Sequence, residues 1–538
     1  MGALTLKSFP HVLRGWEVRS YESFDPTDSF GQETRVYIDR NQIVKIEPQF
    51  SNTASTTWLT DKGRQFFDSI FTEFTPSNTD TVKNTVARSN KQWNHIFETI
   101  RKTFYIFDIC NFKFSKKYYF ILVFENLSLE ILNLLIIISQ VSSFIKIKKA
   151  ENLTLNNDLE SNFQVNSATN SATLMSSSLC LLLGTNTRYE GSYLNLKLRQ
   201  RYFKGNFKVL SIGSLLDLTF SVSFLGSRLS TFKTIVEGNS LSCQDIAAST
   251  NPLLVLNTEL FKRNDAKQLI ETVKMLKHTN IITKFWNGVN VLNSSLSESG
   301  SFSAASFSSL TFYDLTQFSS LYFINTTVSS IANIKKLVGS QLLTYKLKTQ
   351  KQTSHKLLLD QNFTFNSSNL SNDLKIKKFI YLPVDTFFEN NETFINTEGL
   401  VKKSTKLISR KKTKNNWQLI RRFIKNTDLL VTTNNLKDNK LIYFNSRNLY
   451  NFKNFISFQF YAVQNLTNFN FYLTKRNSQF FIHKKFNTFK SSQTKIYDTK
   501  LKYWLDDFFI GGKDQLCQNS LTLIKCSVNT RLMTSTFF

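Results

Sequence analysis

The run SSLCLLLGTNTRYEGSYLNLKLRQRYFKGNFKVLSIGSLLDLTF, residues 177–220, constrains the fold more than any other part of the chain. It reads as an apolar strand, a Gly-Thr-Asn turn, an amphipathic helix that stops at Lys-Gly-Asn, and a second apolar strand. Short apolar runs of this kind are typical of strands buried on both faces. The segment therefore predicts a βαβ unit within a parallel sheet.

The strand–helix alternation recurs further along the chain. PLLVLN at 252–257 predicts another buried strand, RNDAKQLIETVKMLKHT at 263–279 its helix, and SLYFINT at 320–326 a later strand. Because strands alternate with helical patterns, we predict an α/β body with a Rossmann-like parallel sheet of βαβ units. We place this body at residues 76–430, with polar insertions near 141–175 and 293–377.

A small β-rich lead-in domain is predicted at residues 1–75, ahead of the body. TRVYIDRNQIVKIEPQF, 34–50, alternates apolar and polar residues on both sides of a turn at Asp39–Asn41, which predicts a hairpin. WLTDKGRQFFDSIF, 58–71, predicts a helix capped by Thr60 or Asp61. Residues 431–538 form a carboxyl-terminal extension rich in Phe, Asn and Lys, and the sequence does not predict its fold.

The most apolar stretch is YYFILVFENLSLEILNLLIIISQ, residues 118–140, and Glu125 and Glu130 interrupt it. A membrane span needs about 20 apolar residues with few or no charges. We therefore predict a buried strand over 119–124, a helix over 127–140, and no direct membrane span. The polar segments 141–175, 293–309 and 361–373 are interpreted as loops.

The turn GTNTR, residues 184–188, follows a buried strand and opens a helix. In open α/β sheets this is a position where backbone N–H groups and the helix dipole bind anionic ligands. The turn lacks the GxGxxG pattern, and a tight strand–helix connection capped by Asn186 explains it without a ligand. We favour that structural interpretation.

Histidines and cysteines give no pattern typical of a catalytic or metal site. The five cysteines include no CxxC pair, no two of the five histidines are four residues apart, and HExxH and GxSxG are absent. We therefore predict no catalytic residues and no metal ligands in this chain. The thiols are expected to be reduced and packed as small apolar groups.

The net charge of +28 indicates either a phosphate-rich partner or a strongly solvated basic surface. The chain has 51 Phe but only 16 Gly and 6 Pro. Residues with A/T-rich codons are thus over-represented, as in many organelle genomes, and part of the charge reflects Lys enrichment. We expect a solvated basic face and no nucleic-acid partner.

Several blocks of sequence, in a constant order, resemble one family. They are GALTLKSFP…RGWEVRSYESFDPTDSFG…WLTDKGRQFFD within 2–68, LGTNTRYEGSYLNLKLRQ…DLTF…LG within 183–226, LFKRNDAKQLIETV at 260–273, LPVDTFFENNETFINTEG at 382–399 and NNWQLIRRF at 415–423. They resemble the carboxyl-terminal, molybdopterin-oxidoreductase-like part of the large peripheral-arm iron–sulfur subunit family of respiratory complex I.

The resemblance implies a set of family-signature residues with structural roles. They are Trp16, Glu22, Asp25, Asp28, Gly31, Trp58, Asp61, Lys62, Arg64, Gly184, Asn186, Arg188, Glu190, Gly213, Asp217, Pro383, Glu389, Asn396, Thr397, Glu398 and Gly399. The family generally keeps the fold without the pterin cofactor, so we expect fold relics here, with no cofactor-binding residues and no cofactor in this chain.

The resemblance also implies an assembly. In the family pattern, GALT follows a cysteine that binds a [4Fe–4S] cluster, whereas Met1 precedes Gly2 here. The expectation is a split subunit: iron–sulfur clusters lie in a separate partner chain, and the gene is mitochondrial. Other expected partners are the remaining peripheral-arm subunits, on the matrix side of the mitochondrial inner membrane. The chain itself would support electron transfer from NADH to quinone without catalysing it.

Two other functions stay open at this point. An active molybdopterin-dependent oxidoreductase would need a metal ligand and a Gly-rich nucleotide cradle, which the sequence does not present. A basic organelle ribosomal protein would suit the charge of +28 and the coding bias, but the regular βαβ pattern does not favour it.

Overall fold

The computed structural model describes the lead-in region, most of the α/β body and part of the carboxyl-terminal extension. The described ranges are 13–49, 58–71, 85–86, 93–98, 120–150, 171–326, 356–360, 376–426, 498–501 and 515–535, with short gaps in several of them, and the single residue 9.

The lead-in region contains a three-stranded antiparallel sheet. In spatial order, its strands are β1 (Arg19–Phe24), β2 (Glu33–Asp39) and β3 (Gln42–Pro48). The last two form the predicted hairpin, and Arg40 and Asn41 turn the chain with φ of 45° and 87°. Val36, Ile38 and Ile46 are buried at the alternate positions that the period of two predicts.

The helix predicted after the hairpin is α1 (Asp61–Gln65). Thr60 caps it, because the Thr60 hydroxyl accepts the N–H of Gly63 at 3.0 Å. The chain then tightens into a 3₁₀ helix at Phe66–Phe71. Phe66 and Ile70 pack against the lead-in sheet, so the predicted apolar face is present.

The predicted parallel sheet of βαβ units has five strands. In chain order, they are β7 (Leu179–Leu183), β8 (Lys208–Ile212), β9 (Ser223–Gly226), β10 (Leu253–Asn257) and β11 (Val289–Leu292). Their spatial order is β11-β10-β7-β8-β9, and every pairing is parallel. All side chains of β7, β10 and β11 are buried, as expected of strands covered on both faces.

Helices connect and cover these strands. They are α3 (Ser171–Ser176), α4 (Thr187–Glu190), α5 (Ser192–Phe203), α6 (Leu229–Val236), α7 (Ser242–Ala248) and α8 (Ala266–Met275), with a 3₁₀ helix at Thr258–Lys262. A hydrophobic core lies on each face of the sheet. One core contains Phe232, Leu254 and Phe261, and the other contains Leu182 and Leu198.

A second parallel sheet has six strands. In spatial order, they are β4 (Thr85–Val86), β14 (Ile376–Tyr381), β13 (Lys356–Asp360), β12 (Ser320–Ile324), β5 (Phe120–Phe124) and β6 (Ile145–Lys149). The predicted strand over 119–124 is β5, and the helix predicted after it is α2 (Leu129–Val141). SLYFINT supplies β12, so it belongs to this sheet and not to the five-stranded one.

Two of the loop interpretations are wrong for part of their length. Within 141–175, residues 145–149 form the edge strand β6, and residues 171–176 form α3. Ile145 and Ile147 turn inward while lysines alternate with them, a period-two pattern that the surrounding polar composition obscured. Within 293–309, α9 (Glu298–Ala304) is helical.

A small antiparallel pair and a helix complete the body. β15 (Thr393–Ile395) pairs with β16 (Val401–Lys403), and α10 (Asn416–Asn426) follows. Trp417 and Ile420 of α10 pack with Leu132 of α2 in one buried core, which also includes Ile395. The basic run at 414–422 thus has an apolar side turned into the protein.

The carboxyl-terminal extension contributes α11 (Gln515–Asn519) and α12 (Leu521–Ser535). Cys517 and Leu523 are buried against the lead-in core, and the N–H of Thr522 donates to Asp68 at 2.9 Å. The sequence pattern did not predict this return of the chain to its lead-in region. Of the described cysteines, Cys180 and Cys517 are buried, and none is disulfide-bonded.

Candidate functional site at the strand ends

The order of the five-stranded sheet defines where a ligand site would lie. Successive strands run outward from β7 through β8 to β9, and then the chain crosses to β10 on the other side of β7. Ligands of open α/β sheets bind beyond the carboxyl ends of the strands at such a reversal. The candidate site is therefore formed by the loops that follow β7, β8, β9, β10 and β11.

The loop after β7 is closed by hydrogen bonds within the chain. Asn186 caps α4 by accepting the N–H of Arg188 on Oδ1 at 3.1 Å, which confirms the predicted cap. The N–H of Asn186 itself donates to Glu190 Oε2 at 3.1 Å. A carboxylate of the chain thus takes a backbone donor at the start of this helical turn, where a phosphate would bind.

Side chains also close the crevice sterically. Gly184 has φ of +59°, and a Cβ on it would lie 3.0 Å from Leu260 Cδ2. A Cβ on Gly213 would lie 3.4 Å from the Cα of Gly184. Both signature glycines therefore let neighbouring chain segments approach closely, and Leu260 is almost fully buried at the reversal point.

The loops after β10 and β11 share a second carboxylate. Asn257 caps the 3₁₀ helix by accepting the N–H of Glu259 at 3.0 Å. Glu298 accepts the N–H of Ser294 at 2.9 Å and its hydroxyl at 2.7 Å. The hydroxyl of Thr258, which follows β10, donates to Glu298 at 3.3 Å, so this buried carboxylate joins the two strand ends.

The loop beyond β14 in the six-stranded sheet contains a third such carboxylate. Thr386 and Glu389 form a capping box on the 3₁₀ helix Phe387–Glu389. The N–H of Thr386 donates to Glu389 Oε2 at 2.7 Å, and the Thr386 hydroxyl lies 2.9 Å from the same oxygen. Glu389 is a signature residue, and its side chain completes a local turn.

The NTEG segment, residues 396–399, joins the body to the lead-in region. Asn396 is fully buried and donates from Nδ2 to the carbonyl of Phe30 at 2.9 Å. Its Oδ1 accepts the N–H groups of Glu398 and Leu400 at 3.0 and 2.8 Å. The N–H of Thr397 donates to the carbonyl of Ser29 at 3.0 Å. The four signature residues of this segment thus form a joint, with Gly399 at φ +82° in the turn.

Two carboxyl groups at this joint are unusually basic. Burial, followed by the neighbouring Asp25, raises the pKa of Asp28 to about 7. Burial also raises the pKa of Glu398 to about 7, and Asp28 adds to that rise. Lys402 opposes the rise for Glu398, as Lys62 does for Asp28. Both carboxyl groups therefore ionise as the pH rises through about 7, and negative charge then accumulates at the joint.

A second acidic pair, in which Glu130 is fully buried and Glu392 is partly exposed, lies between α2 and β15. Glu130 accepts the hydroxyl of Thr393 at 2.6 Å and its N–H at 3.0 Å. Burial raises the pKa of the nearby Glu392 to about 8, with further contributions from Glu130 and Asp385. Glu130, one of the two charged residues that interrupt the apolar stretch 118–140, thus holds the first residue of β15 in place.

The remaining signature residues are distributed over the lead-in region and the edge of the body. Trp16 and Trp58 are 78% and 67% exposed. Arg188 and Asp217 form an exposed ion pair at 2.6 Å. Glu22, Asp25, Gly31, Asp61, Lys62 and Arg64 belong to the lead-in region, and Pro383 lies outside the described residues. The structure therefore brings one group together at the joint and another at the β7 turn.

Sequence reasoning missed Glu298 and the role of Glu130. Glu298 follows Ser294 by four residues in a Ser-rich segment, and this spacing allows its side chain to close the loop. Glu298 also begins a helix, and prediction of that helix would have drawn attention to it. Within the described part of the chain, no group of three or more His, Cys, Asp or Glu side chains could hold a metal ion.

Comparison with protein families gives one match over most of the body. The model of the molybdopterin oxidoreductase family matches residues 120–426, more than half of the chain. This range includes both parallel sheets except β4, together with β15, β16 and α10. It confirms the predicted fold class.

Curated relatives are large subunits of NADH-ubiquinone oxidoreductase. The 75 kDa subunit of Reclinomonas americana is 30% identical over 314 residues, or 56% of this chain and 44% of that protein. The 78 kDa subunit of Neurospora crassa is 25% identical, over 56% and 40%. Iron-sulfur protein 1 of the NADH dehydrogenase of Solanum tuberosum is 24% identical, over 54% and 38%. The predicted resemblance is confirmed, and the match spans less than half the length of each relative.

Proposed function

We propose that this chain, which belongs to the molybdopterin oxidoreductase family, is a cofactor-free structural part of the large peripheral-arm subunit of respiratory complex I. Its relatives are subunits of NADH-ubiquinone oxidoreductase, which supports a place in the same kind of assembly. In this role it would shield and position iron–sulfur clusters carried by a partner chain, along the path of electrons from NADH to quinone.

One observation carries the cofactor-free part of the proposal: the chain's own carboxylates occupy the strand-end positions that suit an anion. Glu190 accepts a backbone N–H after β7, Glu298 after β11 and Glu389 beyond β14. A pterin nucleotide needs such donors for its phosphates, and a carboxylate already in place both removes the donor and repels the phosphate. The residues present therefore do not fit the family's cofactor.

The described thiols also argue against a molybdenum ligand at this edge. Cys180 lies within β7 and is fully buried, and its burial raises the pKa of its thiol to about 12. Cys180 is the second residue of β7 and packs in the core with Leu182 and Leu198, away from the carboxyl end of the strand. Cys243 lies in α7, whereas Cys517 and Cys526 lie in the carboxyl-terminal helices that pack on the lead-in region.

Exposed aromatic residues of the lead-in region support a protein partner there. Trp16 and Trp58 are largely exposed, and Tyr21 on β1 is 42% exposed. Tryptophan and tyrosine contribute strongly to binding at protein interfaces, and their exposure in one region is typical of an interaction surface. We assign this surface to the partner that carries the clusters. Cover by a protein lowers solvent access to a cluster and so tunes its reduction potential.

We place the assembly in mitochondria, on the matrix side of the inner membrane, with the gene in the mitochondrial genome. The relatives in Neurospora and Solanum are named as mitochondrial proteins, and the A/T-biased composition is consistent with organelle coding. None of the helices in the described part of the chain is both long and apolar enough to cross a membrane.

Native isolation of the complex that contains this chain tests the proposal. We expect co-purification with NADH-oxidising subunits and an iron–sulfur partner, and molybdenum far below one atom per chain by mass spectrometry. Replacing Trp58 by alanine should weaken retention of the partner. Replacing Phe203 by alanine is the matched control, because Phe203 is equally exposed (66%) but lies on α5 of the body.

Two alternative outcomes would reject the proposal. Stoichiometric molybdenum would indicate an active molybdopterin-dependent oxidoreductase. Co-sedimentation with ribosomes and RNA retention that falls steeply with salt would indicate a basic ribosomal protein, which the net charge of +28 keeps under consideration. Absence of NADH-oxidising subunits from the isolated complex would contradict the assignment to complex I.

A further inference from the structure

A short piece of the carboxyl-terminal extension, described at residues 498, 499 and 501, lies over the strand ends of the five-stranded sheet. It is far from these strands in sequence, and it contacts three different strand-end loops. We call it the cap segment. No sequence motif predicted it, and its position coincides with the crevice where the loops after β7, β8, β9 and β10 converge.

The cap segment is fixed to the loop after β9 at two points. The N–H of Leu501 donates to the carbonyl of Ser227 at 2.9 Å. Asp498 pairs with Arg228 at 2.9 Å. On the opposite side of the crevice, Arg263 donates to the Thr499 hydroxyl at 2.8 Å, and Arg263 follows the 3₁₀ helix after β10. The segment thus spans the crevice from one wall to the other.

Asp498 occupies the amino terminus of α6. Arg228, at the N-cap position, provides no side-chain cap, so the first N–H groups of the helix need another acceptor. Asp498 accepts the hydroxyl and the N–H of Ser230, and these hydrogen bonds, together with Arg228, lower its pKa. An anion therefore already satisfies the helix terminus next to β9.

Leu501 fills the apolar part of the crevice. It is 6% exposed and belongs to the core that also contains Leu260 and Ile212. Its Cβ lies 3.9 Å from the position of a Cβ on Gly213. The crevice is consequently lined on one side by Leu260 and on the other by Leu501, with Asp498 at its charged end.

We propose that Asp498, Thr499 and Leu501 form an internal substitute for a nucleotide, with Asp498 in the place of a phosphate at the start of α6 and Leu501 in the place of the apolar body of the ligand. The cap segment seals the strand-end crevice and ties the carboxyl-terminal extension to the α/β body. This inference deepens the proposed cofactor-free function, because it names the part of the chain that replaces a ligand.

Hydrogen–deuterium exchange of the full chain, followed by mass spectrometry, tests the cap segment. We expect the Leu501 amide to exchange about tenfold or more slowly than an unprotected amide. D498N should accelerate exchange at 498–501 and at the start of α6 by about threefold, since it removes the charge at the helix terminus. D245N is the matched control: Asp245 forms a similarly exposed ion pair, with Lys208, away from the cap segment.

A second arm uses guanosine diphosphate as a probe. Excess nucleotide should leave exchange at 184–190 and 227–231 unchanged in the wild-type chain, because the crevice is filled. L501A tests the apolar contact, and unchanged protection of β7 in that variant shows that the sheet still folds. We expect faster exchange at 498–501 in L501A.

Three results would overturn the proposal: an unprotected Leu501 amide in the wild type, equal effects of D498N and D245N at the cap segment, or protection of residues 184–190 by the nucleotide. These outcomes are independent of the native isolation that tests the assignment to complex I. A sealed crevice in a chain found outside complex I would reject only that assignment, whereas an open crevice in a complex I chain would reject only the cap.

Discussion

Replacing Asp28 by asparagine should flatten the dependence of stability on pH near neutrality. Asp28 is buried at the joint, where it accepts the N–H of Phe30 and the hydroxyl of Ser192, each at 3.4 Å. Its pKa is about 7, chiefly because of burial, whereas in the unfolded chain it is near 3.8. Glu398 behaves in the same way, with a pKa raised from 4.5 to about 7.

The sign follows from proton uptake. Between the unfolded and folded pKa values, the folded state holds more protons than the unfolded state, so the free energy of unfolding decreases as the pH rises. The stabilisation is complete below about pH 4 and is lost as the pH passes through about 7. For Asp28 alone, the loss is about 4 kcal/mol, of which about 3 kcal/mol falls above pH 5.

Asp28 and Glu398 are coupled, so their contributions do not simply add. Asp28 is one of the charges that raise the pKa of Glu398, and therefore D28N should also bring the Glu398 pKa closer to its ordinary value. The substitution removes one titration and weakens the second. We expect the decrease between pH 5 and 8 to be smaller in the variant by about 3 kcal/mol, while Glu392, whose raised pKa does not depend on Asp28, continues to contribute.

Thermal unfolding of the full chain, followed by circular dichroism at pH 5, 6, 7 and 8, measures the effect. The wild-type melting temperature should fall by about 3 °C or more across this range. In D28N the fall should be smaller by about 2–3 °C, and D245N should follow the wild type because Asp245 is exposed. Parallel pH profiles for wild type and D28N, or a wild-type melting temperature that rises with pH, would refute the argument.

Three other substitutions test individual contacts by urea unfolding. Thr393→Val removes the hydroxyl that donates to buried Glu130 and should lower the unfolding free energy by about 1–3 kcal/mol. Gly184→Ala should cost more than Gly205→Ala: both glycines have positive φ, but a Cβ meets a neighbour at 3.0 Å only at Gly184 and nothing within 4 Å at Gly205. Asn396→Ala removes three hydrogen bonds of a fully buried side chain and should cost about 3 kcal/mol; a loss below 1 kcal/mol would contradict a structural role for Asn396 at the joint.

Local patterns predicted much of the fold. The hairpin around Arg40 and Asn41, the strand–turn–helix unit after residue 177 and the Thr60 cap all depend on residues close in sequence, so their physics is readable from short windows. The assignment of SLYFINT to a second sheet could not be predicted from the sequence, because sheet membership depends on pairing with β5, whose residues are 200 positions away.

The candidate site was predictable only where the donor and the acceptor of a hydrogen bond lie within one turn of the chain. The Asn186 cap follows from its position before a helix. The contact of Asn396 with Phe30 and that of Asp498 with α6 join residues hundreds of positions apart, and neither has a local signal. β6 was missed for a different reason: its isoleucines alternate with lysines in a segment whose polar composition suggested a loop.

The signature residues of the NTEG segment have a structural role that needs no bound ligand. Asn396 uses both ends of its amide within the chain, and Thr397 donates to the lead-in region from its backbone and from its hydroxyl. Loss of a ligand would leave these hydrogen bonds intact, whereas loss of Asn396 would leave buried donors and acceptors without partners. The physical constraint on these residues is therefore the joint between two parts of the fold. Their presence supports membership of the family, and it carries no argument for a bound pterin.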